Sequence, residues 1–94
     1  MSYVTISLWN ATEWSDEMET LAREKYVPLV MSMGASSVTM VQTGELSFAV
    51  ITTYDSEETV TAAQQRIAEI RAQAATEMPM KMESSMQCGV FASS

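Results

Sequence analysis

Trp9, Asn10 and Trp14 lie close together, where an extended segment gives way to a helical one. Two indoles offer flat apolar surfaces to a ring or a hydrocarbon. The Asn10 amide adds a donor and an acceptor, so the three residues could form the mouth of a pocket. They would equally serve to staple the connection to the core or to a partner. Tyr26 and Tyr54 carry hydroxyls able to position a substrate oxygen or pass a proton, or simply to keep one wet end on a structural ring. Lys25 falls among the apolar positions of the first helix, between Leu21 and Leu29, and Arg71 borders the stripe of the second in the same way. Each could face a ligand carboxylate or enolate, and each could equally snorkel to solvent. Nine methionines in 94 residues supply a soft lining. Met18, Met33 and Met40, with Met31, Met82 and Met86, would fill a core or shape a cavity around a flexible apolar molecule.

Other chemistries have no side chains to carry them. Histidine is absent, which removes Ser–His and Cys–His nucleophilic catalysis, imidazole proton shuttling and an imidazole haem ligand. Zinc would have to be held by one thiol and carboxylates, a poor set, so no metal and no cofactor are expected. Cys88 stands alone, with nothing basic beside it, and reads as a structural thiol in a reducing compartment. The acidic run Asp55 to Glu58 has only local spacing and reads as a helix start rather than a cation site. The net charge is −7, with five Lys and Arg scattered singly. Nucleic acid and anionic membrane both need clustered cations, so neither is an expected partner. No basic leader precedes an apolar run, and no run reaches the ~20 residues that span a bilayer. The expected location is cytoplasmic.

The elements that must position these residues follow from periodicity. The chain is long enough for one domain, 1–94, with 92–94 a loose tail. Tyr3 to Trp9 alternates, with Val4, Ile6 and Leu8 on one face and Tyr3, Thr5, Ser7 and Trp9 on the other. A helix is predicted over 16–33, capped by Ser15 or by an Asp16–Glu19 box, with Met18, Leu21, Ala22, Tyr26, Leu29 and Met33 as its core stripe. Pro28 should kink or split it near Tyr26, and Gly34 should stop it. Strands over 37–42 and 46–54, rich in Val, Ile, Thr, Phe and Tyr, are joined by a turn at Thr43-Gly44-Glu45. A second helix carries Val60, Ala63, Ile67, Ile70, Ala74 and Met78 as far as Pro79. A last strand over 80–91 puts Met80, Met82, Met86, Cys88 and Val90 on one face.

The order is β-α-β-β-α-β, an α+β, ferredoxin-like arrangement in which right-handed crossovers put both helices on one face of a four-stranded antiparallel sheet. The other face is bare. Its expected residues are Tyr3 and Trp9, with either Phe48, Val50, Thr52 and Tyr54 or Ala49, Ile51 and Thr53. So apolar a face calls for a partner, and the expected partner is a second copy of the chain.

The stretch Phe48-Ala49-Val50-Ile51-Thr52-Thr53-Tyr54-Asp55-Ser56-Glu57-Glu58 is similar to the aromatic-ended third strand and acidic helix start of monooxygenase-like proteins. With the element order, it resembles the dimeric α/β-barrel group: the antibiotic-biosynthesis monooxygenase-like, EthD-like and stress-responsive barrel families. The resemblance implies a homodimer with a pocket between sheet and helices in each protomer. Haem-degrading members use a histidine on the second helix, which this chain lacks. Monooxygenase-like members use Asn and Trp on or near the first strand, the neighbourhood of Trp9 and Asn10. The leading expectation is a homodimer that binds a small, largely apolar, fatty-acid-like or other hydrophobic metabolite. The ligand-contacting residues would be Trp9, Asn10, Met18, Lys25, Tyr26, Met33, Met40, Phe48 and Tyr54. The alternatives are a cofactor-independent monooxygenase or isomerase acting on an aromatic or polyketide-like substrate, and a structural module with no ligand.

Overall fold

A computed structural model describes residues 2–94. Strand β1 (Tyr3–Ala11) leads to a first helix in three parts: α1 (Asp16–Leu21), a π-helical segment (Ala22–Tyr26) and α2 (Val27–Met31). β2 (Ala35–Gly44) and β3 (Ser47–Tyr54) form a hairpin, α3 (Glu57–Glu77) crosses back, and β4 (Met80–Gly89) ends the sheet. The sheet order is β2-β3-β1-β4, and every pairing is antiparallel. This is the expected ferredoxin-like topology.

Local chemistry accounts for the boundaries. Ser15 rather than the Asp16–Glu19 box caps α1, its hydroxyl accepting from the Met18 N–H at 3.2 Å. Ser56 repeats the device for α3, accepting from the Thr59 N–H. The disturbance expected from Pro28 appears just before it. The Val27 N–H reaches back five residues to the Ala22 carbonyl, so the helix widens where Pro28 supplies no N–H and its ring crowds the preceding turn. Gly34, with φ of +96°, turns the chain into β2. The β2–β3 turn is tighter than expected, with only Glu45 and Leu46 between the strands.

The structure corrects the assignment of faces. Tyr3, Thr5, Ser7 and Trp9 lie opposite Tyr54, Thr52, Val50 and Phe48 in register. This whole layer points toward the helices, where Thr5, Ser7, Trp9, Phe48, Thr52 and Tyr54 are buried. Tyr3 and Trp9 are therefore not on the bare face, and neither is the Phe48–Tyr54 set. The bare face instead carries Val4, Ile6 and Leu8 opposite Thr53, Ile51 and Ala49, with Val41 from β2 and Met86 and Cys88 from β4. β4 also departs from strict alternation. The register slips between Leu8 and Trp9, and Glu83 is the extra residue of a bulge. Met80 and Met82 therefore share the helix side with Trp9, while Met86 and Cys88 sit on the other.

Two apolar clusters hold the helices down. One gathers Trp9, Met18, Tyr26, Phe48, Ile70, Ala74 and Met78, and the other Ala35, Tyr54, Val60, Ala63 and Ile67. Met33 packs against both. The turn at Gly34 lets the first helix reach these clusters and β2 start in register. A Cβ there would meet Thr59 Cγ2 at 3.3 Å, and a non-glycine residue in left-handed backbone costs roughly 1–2 kcal/mol. Gly34→Ala should lower unfolding stability by about that amount in urea titration. An unchanged midpoint would show that the turn does not need its positive φ.

Candidate functional site

Between the sheet and the helices lies a cavity of about 360 Å³. Its size follows from what stands on the helix side of the central strands. Thr5, Ser7 and Thr52 are short side chains at positions where aliphatic core residues would otherwise fill the space. Large aromatics stand at the two ends, Trp9 and Phe48 at one and Tyr54 at the other. They hold the helices away from the strands between them.

The aromatic end is ordered by stacking. The Trp9 and Phe48 rings lie nearly parallel, 9° apart with centroids at 6.0 Å, and Trp14 meets Phe48 edge-on at 5.8 Å. The Trp9 indole N–H donates to Ser7 Oγ at 2.8 Å, and that of Trp14 donates to Glu19 Oε2 at 2.7 Å. Both indoles thus present ring carbon, rather than an unmet donor, to the space they line. Met18, Met33, Met40, Met78 and Met80 complete the apolar wall.

The opposite end is polar. Thr5, Thr52, Tyr54 and Arg71 all line the cavity. None of their side chains makes a hydrogen bond or ion pair within the protein, among the described residues. Among the described residues no fully enclosed side-chain nitrogen or oxygen lacks a partner, so the polar atoms of these groups are accessible from the cavity they line. Burial pushes the Tyr54 hydroxyl above its ordinary pKa, the nearby Arg71 charge offsetting part of the effect. Burial likewise lowers Arg71, and Tyr54 counteracts it. A neutral phenol and a guanidinium therefore line the same cavity, both donors, and neither has an acceptor among the described residues. That arrangement suits an oxyanion.

One exposed carboxylate ties the two helices together beside this space. Glu77, at the end of α3, accepts from Lys25 Nζ at 2.5 Å, from the Tyr26 hydroxyl and from Gln73 Nε2 at 3.1 Å. Lys25 and Tyr26 close the π-helical segment, so the clamp fixes the part of the first helix that the proline perturbs. The Lys25 and Tyr26 hydrogen bonds hold the Glu77 carboxyl down at about 2. Burial, reinforced by Glu77, raises the Tyr26 hydroxyl well above the ordinary tyrosine range.

Of the residues expected to contact a ligand, the structure brings together Trp9, Met18, Tyr26, Met33, Met40, Phe48 and Tyr54 around the cavity. Asn10 and Lys25 lie outside it. Asn10 is exposed on the far side of β1, its amide donating to Glu83 Oε2 at 2.8 Å, and Lys25 is committed to Glu77. Sequence reasoning offered Arg71 as a possible counter-charge without counting it among the ligand contacts, and it passed over Thr5 and Thr52. The available signal was polar residues at period two on the same face as Trp9 and Tyr54.

No family model matches this chain, and no curated protein does. Solved structures do. SnoaB, a cofactor-independent oxygenase from Streptomyces nogalater, superposes with a TM-score of 0.73 at 10% identity, covering 98% of this chain and 95% of that one. A dimeric ferredoxin-like protein from an uncultured marine organism gives 0.68 at 13% identity, covering 97% and 96%. A Streptomyces coelicolor monooxygenase in complex with the ligand nanaomycin D gives 0.64 at 16%, covering 99% and 93%. At such identities the likeness is one of fold, and it bears out the ferredoxin-like α+β architecture.

The Glu77 clamp has a pH signature. A carboxyl whose folded-state pKa lies near 2, below its ordinary 4.5, stabilises the fold above pH 4.5 and loses that contribution as pH falls toward 2. Glu77→Gln should therefore flatten the acid limb of the stability–pH profile in this window. A profile identical to that of the parent would show that the clamp carries no stability.

Proposed function

We propose that this protein is a homodimeric, cofactor-independent oxygenase of an aromatic substrate, with the cavity as its reaction chamber. The observation that carries the reading is the division of that cavity. An aromatic and methionine wall faces unpartnered donors from Thr5, Thr52, Tyr54 and Arg71. A flat substrate with an acidic hydroxyl or carbonyl would lay its rings along Trp9 and Phe48 and its oxygen against Tyr54 and Arg71. Donors preorganised in a poorly hydrated site stabilise the anion more than the neutral substrate, so they lower its pKa. Its proton leaves to water at the mouth. The resulting carbanion transfers an electron to dioxygen, a C–O bond forms, and the peroxide loses water to leave a carbonyl. In balance, CH₂ and O₂ become C=O and H₂O. No separate redox group is required, because the substrate anion supplies the electrons. The oxygenase structures of like fold support this reading.

A second reading, binding without turnover, is favoured by the methionine lining, which adapts to flexible chains. A hydrophobic metabolite with a carboxylate head would use the same Arg71 end. Oxygen uptake separates the two. A tricyclic hydroxyaromatic ketone with an acidic CH₂ should be consumed one-to-one with dioxygen. Binding without oxygen uptake would favour the carrier.

In either case Arg71→Gln should weaken binding of an acidic aromatic ligand by about 1.5–3 kcal/mol, the scale of a hydrogen bond to a charged group. Binding of an uncharged analogue should be unaffected, as read by calorimetry. Equal loss for both ligands would assign Arg71 to structure alone.

Dimerisation would use the bare face, where Val4, Ile6, Leu8, Val41, Ala49, Ile51, Met86 and Cys88 lie, with Lys81 and Glu83 at its Asn10 end. Two such sheets packed face to face would bury the edgewise-exposed Met86 and Val41 and enclose Cys88 as a thiol in a reducing, cytoplasmic setting. Ile51→Glu should convert the dimer to a monomer in light scattering at micromolar concentration. A dimer unaffected by that charge would move the interface elsewhere.

A further inference from the structure

The chain holds only five basic residues against twelve acidic ones, and their placement is uneven. Lys25 pairs with Glu77 and Arg66 with Glu69. Lys81 sits on β4 beside Asn10, away from the cavity. Arg23 and Arg71 line the cavity, and neither is in an ion pair among the described residues. Arg71 is half-buried, whereas Arg23 is exposed. The other exposed lining residues with side chains on this side of the sheet are Glu19 and Gln42. The mouth therefore opens between the first helix and β2, and Arg23 stands at it.

Arg23 would ordinarily be neutralised by its neighbour. Glu19 precedes it by four residues, the spacing and order at which a helical Glu–Arg pair forms. Here the Glu19 carboxylate accepts from the Trp14 indole N–H at 2.7 Å, and Arg23 lies within the π-helical segment, where the i,i+4 spacing is altered. The guanidinium is left without a carboxylate on a protein whose net charge is −7. Such a surface repels anions, and a second unpaired cation at this apolar cavity is a local reversal of that field.

From this we infer that the cavity prefers a dianionic ligand: an apolar aromatic body with one acidic group held inside by Arg71 and Tyr54, and a second held at the mouth by Arg23. The inference deepens the proposed function and rests on its assignment of the Arg71 end. The inner contact is the more shielded of the two, with Arg71 half-buried and Arg23 exposed. The two should therefore respond differently to salt, since exposed charges are screened within a Debye length of about 8 Å at physiological ionic strength.

Calorimetric titration with four probes tests it: naphthalene-2-carboxamide, 2-naphthoate, naphthalene-2,6-dicarboxylate and naphthalene-1,4-dicarboxylate. 2-Naphthoate should bind about tenfold or more tightly than the neutral amide, the scale of a hydrogen bond to a charged group. At low salt at least one dicarboxylate should gain a further two- to fivefold or so, the scale of an exposed ion pair. That second gain should vanish at about 0.5 M salt and in Arg23→Gln, and persist in Arg23→Lys, while the first gain survives all three. An exposed Arg23 leaves the fold intact in either variant. If neither dicarboxylate outbinds 2-naphthoate, or if Arg23→Gln leaves the second gain in place, the outer subsite is overturned and the inner one stands. If 2-naphthoate binds no better than the amide, the failure lies with the proposed function.

Discussion

The cavity exists because the two central strands put their shortest side chains on the side that the helices cover. A ferredoxin-like sheet ordinarily seals to its helices through aliphatic residues. Here Val4, Ile6, Leu8 and Ile51 point away, and Thr5, Ser7 and Thr52 lie beneath the helices instead. Close packing would demand that the helices collapse onto so low a layer. They cannot, because Trp9 and Phe48 at one end and Tyr54 at the other are too tall. The first helix bridges the gap through a widened π turn, and Glu77 holds that turn to α3 by accepting from two of its side chains, Lys25 and Tyr26. Much of the molecule's individuality follows from this inversion of small and large, including the donors left facing empty space.

The same inversion explains which parts of the fold could be read from the chain. Element order, the serine caps, the effect of Pro28 and the stop at Gly34 are local, and each is written in a few adjacent residues. Facing is different. Hydrophobic alternation tells the two sides of β1 apart, but it reports contrast between a covered face and a wet one. Where helices cover one side and the other is apolar as well, the more aliphatic side need not be the helix side. The pattern alone then pointed Trp9 outward, although it is 4% exposed against the helices. In β4 the bulge at Glu83 broke a period that looked continuous from Met80 to Cys88. No side chain announces a bulge of that kind.

The site was legible as a neighbourhood rather than as a mechanism. Aromatic and methionine residues were recognisable as lining because their bulk forces them inward wherever the elements lie. Asn10 and Lys25 were drawn in by proximity along the chain. The strand's twofold alternation sends Asn10 away from its neighbour Trp9, and the widened helix delivers Lys25 to a carboxylate from residue 77. Arg71 showed the converse. Beside Ile67, Ile70 and Ala74 it resembles any snorkelling arginine, and only its lack of an ion pair among the described residues sets it apart. Pairing between elements distant in sequence is what one-dimensional patterns omit.

The bulge in β4 also divides the protein's sulfur between two environments. Met80 joins Met18, Met33, Met40 and Met78 around the interior space, while Met86 and Cys88 stand on the outer sheet face. Thioethers and thiols are the side chains that oxidants modify first. An oxidant arriving through solvent would thus meet one set, and a peroxide released inside would meet the other. The inner thioethers can take up an oxygen atom and be restored by reduction. The carbon skeletons of Trp9 and Trp14, which shape the chamber, would then be spared. One inserted residue puts Met80 and Met82 on the inner face of the sheet and Met86 and Cys88 on the outer.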